Sequence, residues 1–421
     1  MTLVTGLGIS AVRAYHTTDF FCFDTAARLV ATGADPYDTT TWATATAGSF
    51  PDYRGVIRST SCPGRFGFPL WTAIALLPLT LLSPAAAAGV WEMLLIASAA
   101  IGVVGLALSL GRRDLAIGLA LVVAASQPFW LTVLTAQFGG LLLGAIGLSS
   151  FLVGARRDAA GAGALAIGFL KPHVAALIFV AMVVRAIGQR RLRFLFVLGG
   201  AFAGLVLAAF AVRPGWLAEY AVELATNRAA TIPIATSLLG LAFQATGSVV
   251  IAVAVTLAAV GAGVMLLRRR ALADVDVVAT GAAASLVLSP YLGSHDQLLL
   301  APAWAVMLAR GGLRGTIATG LLAVPLPWVL YALKGTVGGP RGSRRTDAGD
   351  CLLRADADAA RRADPAGLVG RRLDRGSRAP PGRAAPCEQP NGVDRPGEQR
   401  GPCGERVARL GHEDNEDEPR A

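Results

Sequence analysis

The chain has 421 residues, of which 54% are hydrophobic and only 16% are charged, and its mean hydropathy is +0.54. Soluble domains carry about 25% charged residues, so this composition excludes an ordinary soluble domain and predicts an all-α, polytopic membrane protein. The net charge of +10 does not indicate nucleic-acid binding. The basic residues, such as Arg112–Arg113 and Arg156–Arg157, punctuate apolar runs, which is the pattern of cytoplasmic anchoring.

The chain divides into three parts in the order of the sequence. Met1–Val12 is apolar but too short to span a bilayer comfortably, and a polar loop follows over residues 13–65. Apolar runs then recur, and we predict about nine to eleven transmembrane segments in the body that ends near residue 335. The runs are Phe66–Leu82, Ala85–Leu110, Leu115–Ala125, Gly139–Val153, Ala159–Ala186, Phe194–Val212, Gly247–Leu267, Val275–Leu288, Leu298–Leu308 and Thr316–Leu333.

The last part of the chain is a polar tail. We predict a membrane-embedded domain over residues 1–337 and a tail over residues 338–421, rich in Arg, Asp, Gly and Pro. Such a tail cannot bury enough apolar surface to fold alone, so we expect it to be disordered. The switch is abrupt, and we interpret the tail as a frameshifted reading. Translation of the neighbouring frames tests this, because apolar segments should reappear there.

Placing the arginine-rich turns inside predicts that the first polar loop and the weakly charged turns lie outside. This requires Ala159–Ala186 to be two half-helices that meet at Lys171–Pro172. The same assignment also leaves two alternatives for the topology of the segments that precede this break. Either Phe66–Leu82, which contains Pro69 and Pro78, is re-entrant, or the region 112–137 is inverted, and we prefer the first.

Lys171 is one of only two lysines and lies inside an apolar stretch. A cation at that depth costs several kcal/mol unless it faces a polar cavity, so it is a functional candidate. Pro172 removes a backbone donor, which membrane helices tolerate where the freed groups line a cavity. The simpler interpretation is a lysine at a helix end that reaches the headgroups.

Other uncommon polar residues belong to the same predicted outer face. Asp19 or Asp24 could act as a base, while Lys171 and a histidine could hold a phosphate. Simpler interpretations are a helix start for Asp19, an ion pair with Arg28 for Asp24 and a helix cap for Asp296. The set is His16, Asp19, Asp24, Asp35, Tyr37, Gln137, Lys171, His173, Ser289-Pro290-Tyr291 and His295-Asp296.

Several kinds of site have no signature in the sequence. There is no Walker loop, no GxGxxG after a strand, no HExxH and no CxxC pair, so we expect no metal and no cofactor. Cys22 and Cys62 both fall in the first polar loop, and they could form a disulfide if that loop is extracytoplasmic.

The order of these residues resembles a known family. Asp19-Phe20, Gly33-Ala34-Asp35-Pro36-Tyr37, Ala136-Gln137, Phe169-Leu170-Lys171-Pro172 and Ser289-Pro290 with His295 are similar to motifs of the polyprenol-phosphate-mannose-dependent mannosyltransferases, glycosyltransferase family 87. The resemblance covers roughly residues 15–335. Ala136 stands where the family has Gly, and the family's Asn after Gln137 is missing.

The resemblance implies a membrane-embedded enzyme of the GT-C class that works on the extracytoplasmic face of the cell membrane. Asp19 would deprotonate the acceptor, and the sugar would be transferred with inversion from polyprenyl-phosphate-mannose to a lipid or glycan acceptor. Lys171 and His295 would bind the departing phosphate and Gln137 would position sugar or phosphate, with Asp24 and Tyr37 as further substrate-binding candidates. Membrane lipids are the remaining partners.

Two other functions remain open at the level of the sequence. In a transporter, the broken helix at Lys171–Pro172 would bind an anion near the midplane, but no convincing internal repeat supports this. The other is a non-catalytic membrane scaffold derived from the same family.

Overall fold

The computed structural model describes residues 18–46, 62, 65–231, 237–267, 272–289 and 293–329. These residues form helices and connecting turns, and no strand occurs among them, so the prediction of an all-α fold is confirmed. The α-helices are α1 Asp19–Ala31, α2 Thr39–Thr46, α3 Leu70–Ala75, α4 Pro84–Ser109, α5 Leu115–Ala125, α6 Gln127–Leu134, α7 Gly139–Gly154, α8 Asp158–Ala166, α9 Pro172–Gly188, α10 Leu192–Val212, α11 Trp216–Thr231, α12 Leu238–Thr246, α13 Val249–Leu267, α14 Asp274–Leu288, α15 Ala301–Arg310 and α16 Gly312–Ala323.

Two of these helices, α4 and α10, are long and apolar enough to cross a membrane. The helices α5 and α6 would form a third span if they are taken together, although they meet at an angle of 64°. Four shorter apolar helical stretches of 10–17 residues lie in α7, in α8 with its continuation, in α9 and in α13. The described residues support a membrane protein, and the count of nine to eleven segments stays a prediction.

The apolar run Phe66–Leu82 does not form one continuous helix. Pro69 precedes α3, which has only six residues, and Pro78 lies in the first turn of a short 3-10 helix, Leu77–Leu81. A full crossing needs about 20 helical residues. These two short pieces favour the re-entrant alternative over a spanning helix.

The predicted break at Lys171–Pro172 is confirmed. The helix α8 ends at Ala166 and continues as a 3-10 helix, Ile167–Leu170. Lys171 then leaves the helical conformation, with φ −135° and ψ 69°, and α9 begins at Pro172. Because proline has no N–H to donate, the first position of a helix is where it costs least.

The helices α4 and α7 pack with their backbones in close approach. A Cβ atom on Gly102 would lie 2.3 Å from the carbonyl oxygen of Leu143, and one on Gly147 would lie 2.0 Å from that of Gly102. Only glycine fits at such contacts, as is common between membrane helices. This tight pair places the turn that precedes α7 against Trp91 of α4.

The first polar loop contains the disulfide that the sequence allowed, between Cys22 of α1 and Cys62. Several other predictions lie outside the described residues. They concern Met1–Val12, His16, Pro290-Tyr291, and the tail with its boundary at residues 337 and 338.

Candidate active site

The first residue of α1 is hydrogen-bonded to the turn between α6 and α7. The backbone N–H of Asp19 donates to the carbonyl of Thr135 over 2.9 Å. The next residue, Ala136, has a φ of 54°, and its carbonyl accepts from the indole Nε1 of Trp91 at 2.8 Å. This left-handed residue turns the chain so that Gln137 reaches Asp19, and the Nε2 of Gln137 donates to the Asp19 carboxylate.

Lys171 lies at the other side of Gln137. Its Nζ donates to the Oε1 of Gln137 over 3.3 Å and to the Oδ1 of Asp296 over 2.6 Å. It also lies 3.2 Å from the Nε2 of His295. The helix break therefore places the ammonium group among three acceptors from two distant parts of the chain.

His295 and Asp296 belong to a 3-10 helix, Ser294–Leu300, which follows α14. The backbone N–H of Gly293 donates to the Oδ2 of Asp296 over 3.0 Å, which caps this turn. The turn is also held to α6, because the Oγ1 of Thr132 donates to the carbonyl of His295 over 3.2 Å. A Cβ atom on Gly293 would lie 2.3 Å from the His295 ring, so glycine leaves the room that the imidazole occupies.

The groups of this cluster differ in their burial. The ion pair of Lys171 and Asp296 is enclosed, since their side chains are 4% and 0% exposed. His295 is 17% exposed at its side chain, and Asp19 is half-buried. Asp19 and His295 are therefore the more accessible groups of the cluster, while the ion pair is enclosed.

Burial and charge set the protonation states of the cluster. Burial raises the pKa of Asp19 to about 6, although the hydrogen bond from Gln137 and the charge of Lys171 oppose that rise. Burial is the largest influence on Asp296 and would raise its pKa, but the charge and hydrogen bond of Lys171 together with the neighbouring histidines hold that pKa below its ordinary value. Burial lowers the pKa of His295 to about 4. At neutral pH, Asp19 is a carboxylate and the imidazole of His295 is neutral.

The cluster brings together four of the predicted site residues: Asp19, Gln137, Lys171 and His295. His173 lies on the second position of α9, with its ring centroid 6.3 Å from that of Phe68. Phe68 in turn packs on Phe138, the residue after Gln137. The second imidazole thus lies on the aromatic wall beside the cluster.

Asp24 and Tyr37 occupy other positions. Asp24 is buried and accepts from the Nε of Arg28 over 2.8 Å, which is the ion pair that their spacing of one helical turn predicts. Tyr37 is buried, and its hydroxyl donates to the carbonyl of Phe68 over 2.6 Å. The substrate-binding roles of both residues stay predictions.

For two residues of the site, Asp296 and Gly293, the sequence does not predict the full role. The sequence predicts Asp296 as a helix cap, which it is, but its other oxygen accepts from Lys171 and neutralises its charge. A buried cation needs a buried carboxylate, and this rule could have directed attention to the acidic residues of the apolar body. Gly293 gave no signal in the sequence, because its importance lies in the position of the neighbouring ring.

The arrangement suits proton transfer and the stabilisation of an anion. A partly exposed carboxylate can take a proton, and hydrogen-bond donors next to it can stabilise negative charge on a leaving group. Among the residues that the structure describes, no group of three or more His, Cys, Asp or Glu residues is placed to hold a metal ion.

The comparisons with known proteins give one match. No curated protein and no solved structure matches the chain. The sequence model of glycosyltransferase family 87 matches residues 66–290, which is more than half of the chain. The match includes Gln137 and Lys171, whereas Asp19 and His295 flank it. Together with its apolar helices, this match shows that the chain is a membrane glycosyltransferase that belongs to glycosyltransferase family 87.

Proposed function

We propose that the enzyme moves a hexose, namely mannose, from a polyprenyl-phosphate donor to a lipid or glycan acceptor on the extracytoplasmic face. The observation that supports this most directly is the continuous set of contacts from Asp19 through Gln137 to Lys171 and His295. It puts a base, an amide, a cation and an imidazole at one place. Those are the groups that an acid–base displacement at a sugar phosphate requires.

In this proposal Asp19 is the base. It takes the proton of the acceptor hydroxyl as that oxygen attacks the anomeric carbon, and the bond between the anomeric carbon and the phosphate oxygen breaks. A single displacement of this kind inverts the anomeric configuration. A carboxyl pKa near 6 supports the assignment, because a base works best when its pKa lies close to the operating pH.

The electron pair of the broken bond goes to the departing phosphate, and its charge is stabilised at the end of the cluster where His295 lies against Lys171. The Lys171 ammonium can only donate, so the Nε2 of His295 accepts and its Nδ1 carries the proton. That N–H is a donor for a phosphate oxygen. Gln137, between Asp19 and Lys171, positions the sugar relative to both.

Two observations support the donor class and the face of the membrane. Large apolar side chains are exposed along the membrane helices, for example Val90, Met93 and Leu94 of α4, and they suit a polyprenyl chain. The disulfide of Cys22 and Cys62 lies in the loop that contains Asp19, and disulfides persist in oxidising compartments. Both fit a lipid-linked donor used outside the cytosol.

The test is sugar transfer in membranes from radiolabelled polyprenyl-phosphate-mannose. We expect product from the wild type and a loss of about 10²–10⁴-fold in kcat/KM for Asp19→Asn, the usual range for a lost general base. Asp276→Asn is the matched control, since Asp276 pairs with Arg310 outside the cluster and should keep activity. NMR of the product should show inversion.

Equal transfer by the wild type and Asp19→Asn would remove Asp19 as the base. A wild type that transfers nothing from this donor, while it is folded and inserted, would contradict the donor class.

A further inference from the structure

The ammonium group of Lys171 has no hydrogen left for a ligand. It carries three N–H donors, and three acceptors surround it at 2.6–3.3 Å: Asp296 Oδ1, His295 Nε2 and Gln137 Oε1. Its side chain is only 4% exposed. A phosphate could contact Lys171 only by displacing one of these partners.

The two side chains beside Lys171, those of His295 and Gln137, have N–H donors that a ligand could use. His295 accepts at Nε2, so its Nδ1–H is available, and its side chain is 17% exposed. Gln137 uses one amide N–H on Asp19 and has a second. The residues that can touch an anionic ligand are therefore those that Lys171 holds.

Asp296 completes this arrangement from the opposite side. One carboxylate oxygen accepts from Lys171 and the other accepts from the backbone N–H of Gly293. The carboxylate thus ties the turn that contains His295 to the helix break that contains Lys171, residues 125 positions apart. Because both side chains are buried, neither charge can be satisfied by water if its partner is lost.

We propose that Lys171 and Asp296 form a positioning pair, which acts on the reaction through Gln137 and His295 and does not itself contact the donor phosphate. This deepens the proposed function and rests on it. In this arrangement the charge of the pair is zero, and its contribution is the fixed placement of one amide and one imidazole. Asp296 is thereby a positioning residue for transfer.

A double-mutant cycle tests the proposal. We expect Lys171→Met and Asp296→Asn each to lower kcat/KM by about 100-fold, and the double variant to be within about 3-fold of the worse single variant, because residues that act as a unit are non-additive. Asp276→Asn is again the control and should stay within about 2-fold of the wild type. Losses that multiply to about 10⁴-fold would overturn the proposal.

Binding separates positioning from direct contact. The double variant and Asp296→Asn alone both lose the fixed placement of His295 and Gln137, so we expect them to bind a polyprenyl phosphate within about 3-fold of each other. If Lys171 were a direct ligand, Asp296→Asn alone would bind more tightly than the wild type by freeing the ammonium group, and the double variant would bind about 10-fold or more weakly than Asp296→Asn. Either result would overturn the proposal.

The pH profile provides a readout that a purely structural role would not move. The groups that face Asp19 are Gln137, Lys171 and Asp296, and the two charges act on it in opposite directions. The acid limb is the fall of kcat/KM at low pH, and it follows the pKa of Asp19. We expect it to move to higher pH in Lys171→Met, which removes a positive charge, and to lower pH in Asp296→Asn, which removes a negative charge. Identical limbs in both variants would contradict the proposed arrangement.

Failure of the proposed function gives a different pattern. If the wild type transfers no mannose but binds a polyprenyl phosphate, only the assigned reaction is wrong, and the affinity of the double variant still decides the role of the pair. If the wild type neither transfers nor binds, both proposals are overturned.

Discussion

The two turns at opposite ends of α14 have the same local hydrogen-bond pattern, but their basic partners differ in exposure to solvent. At the beginning of the helix, Asp276 accepts from the backbone N–H of Ala273 with one oxygen and from Arg310 with the other, over 2.9 and 2.7 Å. Beyond its end, Asp296 accepts in the same way from Gly293 and Lys171, over 3.0 and 2.6 Å. Arg310 is 52% exposed, whereas Lys171 is 4% exposed.

This difference in exposure shows where an ion pair does more than cap a helix. A pair with one exposed partner, such as Arg310 with the largely buried Asp276, is screened by water and salt at that partner and contributes about 1 kcal/mol. A buried pair gains little over apolar residues, yet it becomes costly once one partner is removed. At the Asp296 turn the buried pair also contacts His295, an imidazole that can take part in acid–base chemistry, and Gln137, an amide that can donate hydrogen bonds.

The largest effect should come from breaking the buried pair. Lys171→Met should lower the free energy of unfolding by about 3–5 kcal/mol, since it leaves the Asp296 carboxylate buried and unpaired. Arg310→Met should cost no more than about 1 kcal/mol. Unfolding in detergent, followed by circular dichroism, gives both values. Equal losses would show that burial does not distinguish the two turns.

Gly293→Ala should impair activity with little loss of stability. Ala273 holds the equivalent position with φ −71° and ψ 163°, close to the −88° and 159° of Gly293, so the backbone does not demand glycine. The added Cβ would lie 2.3 Å from the His295 ring and push it away from Lys171. We expect kcat/KM for sugar transfer to fall about 10- to 30-fold, as for a misplaced catalytic group.

The opposite substitution at the equivalent position of the other turn is the control for this prediction. Ala273→Gly alters the same position of the other turn, where Val275 stands at the place of His295, and transfer should be unchanged. If Gly293→Ala were as active as the wild type, the placement of the His295 ring would not matter for the reaction.

The pH dependence should come from the cluster and not from the exposed turn. In the proposed reaction Asp19 must be deprotonated, so we expect activity above the pKa of Asp19, about 6, and a loss of activity below it. We expect kcat/KM to fall about tenfold per pH unit below that value. The same acid limb should appear in Asp276→Asn. A profile that stays flat down to pH 5 would rule out a carboxyl base with this pKa.

The smallest effect concerns the turn that places Gln137. Ala136 has a φ of 54°, a conformation that costs a residue with a Cβ about 1 kcal/mol. Ala136→Gly should therefore stabilise the protein by up to about 1 kcal/mol and preserve activity. A thermal melt of the purified protein is sufficient to measure it. A destabilised variant would show that the glycine's extra freedom in the unfolded chain outweighs the relieved strain.

The sequence predicted the parts of the site that depend on local chemistry. Proline after Lys171 predicted the helix break, because a missing N–H acts at that position whatever the fold. Asp24 and Arg28 are one helical turn apart, and their pairing followed from helix geometry. The all-α class followed from composition and apolar runs.

The sequence did not predict contacts between distant segments. It grouped three histidines on one face, but only the folded chain shows that His295 touches Lys171 and that His173 lies against Phe68. It gave Asp296 the role of a cap, since its partner is 125 positions away. Apolar runs overstate spans where prolines break them, as in Phe66–Leu82.

The disulfide of Cys22 and Cys62 has a consequence for handling the protein. It joins residues 40 positions apart, and in the chain-entropy account such a closed loop is worth about 4 kcal/mol. Cys22 lies on the first turn of α1, three residues after Asp19, the proposed base. Reducing agents in purification buffers would loosen the segment that presents Asp19, so a thiol-treated sample would lose turnover before it loses helix content.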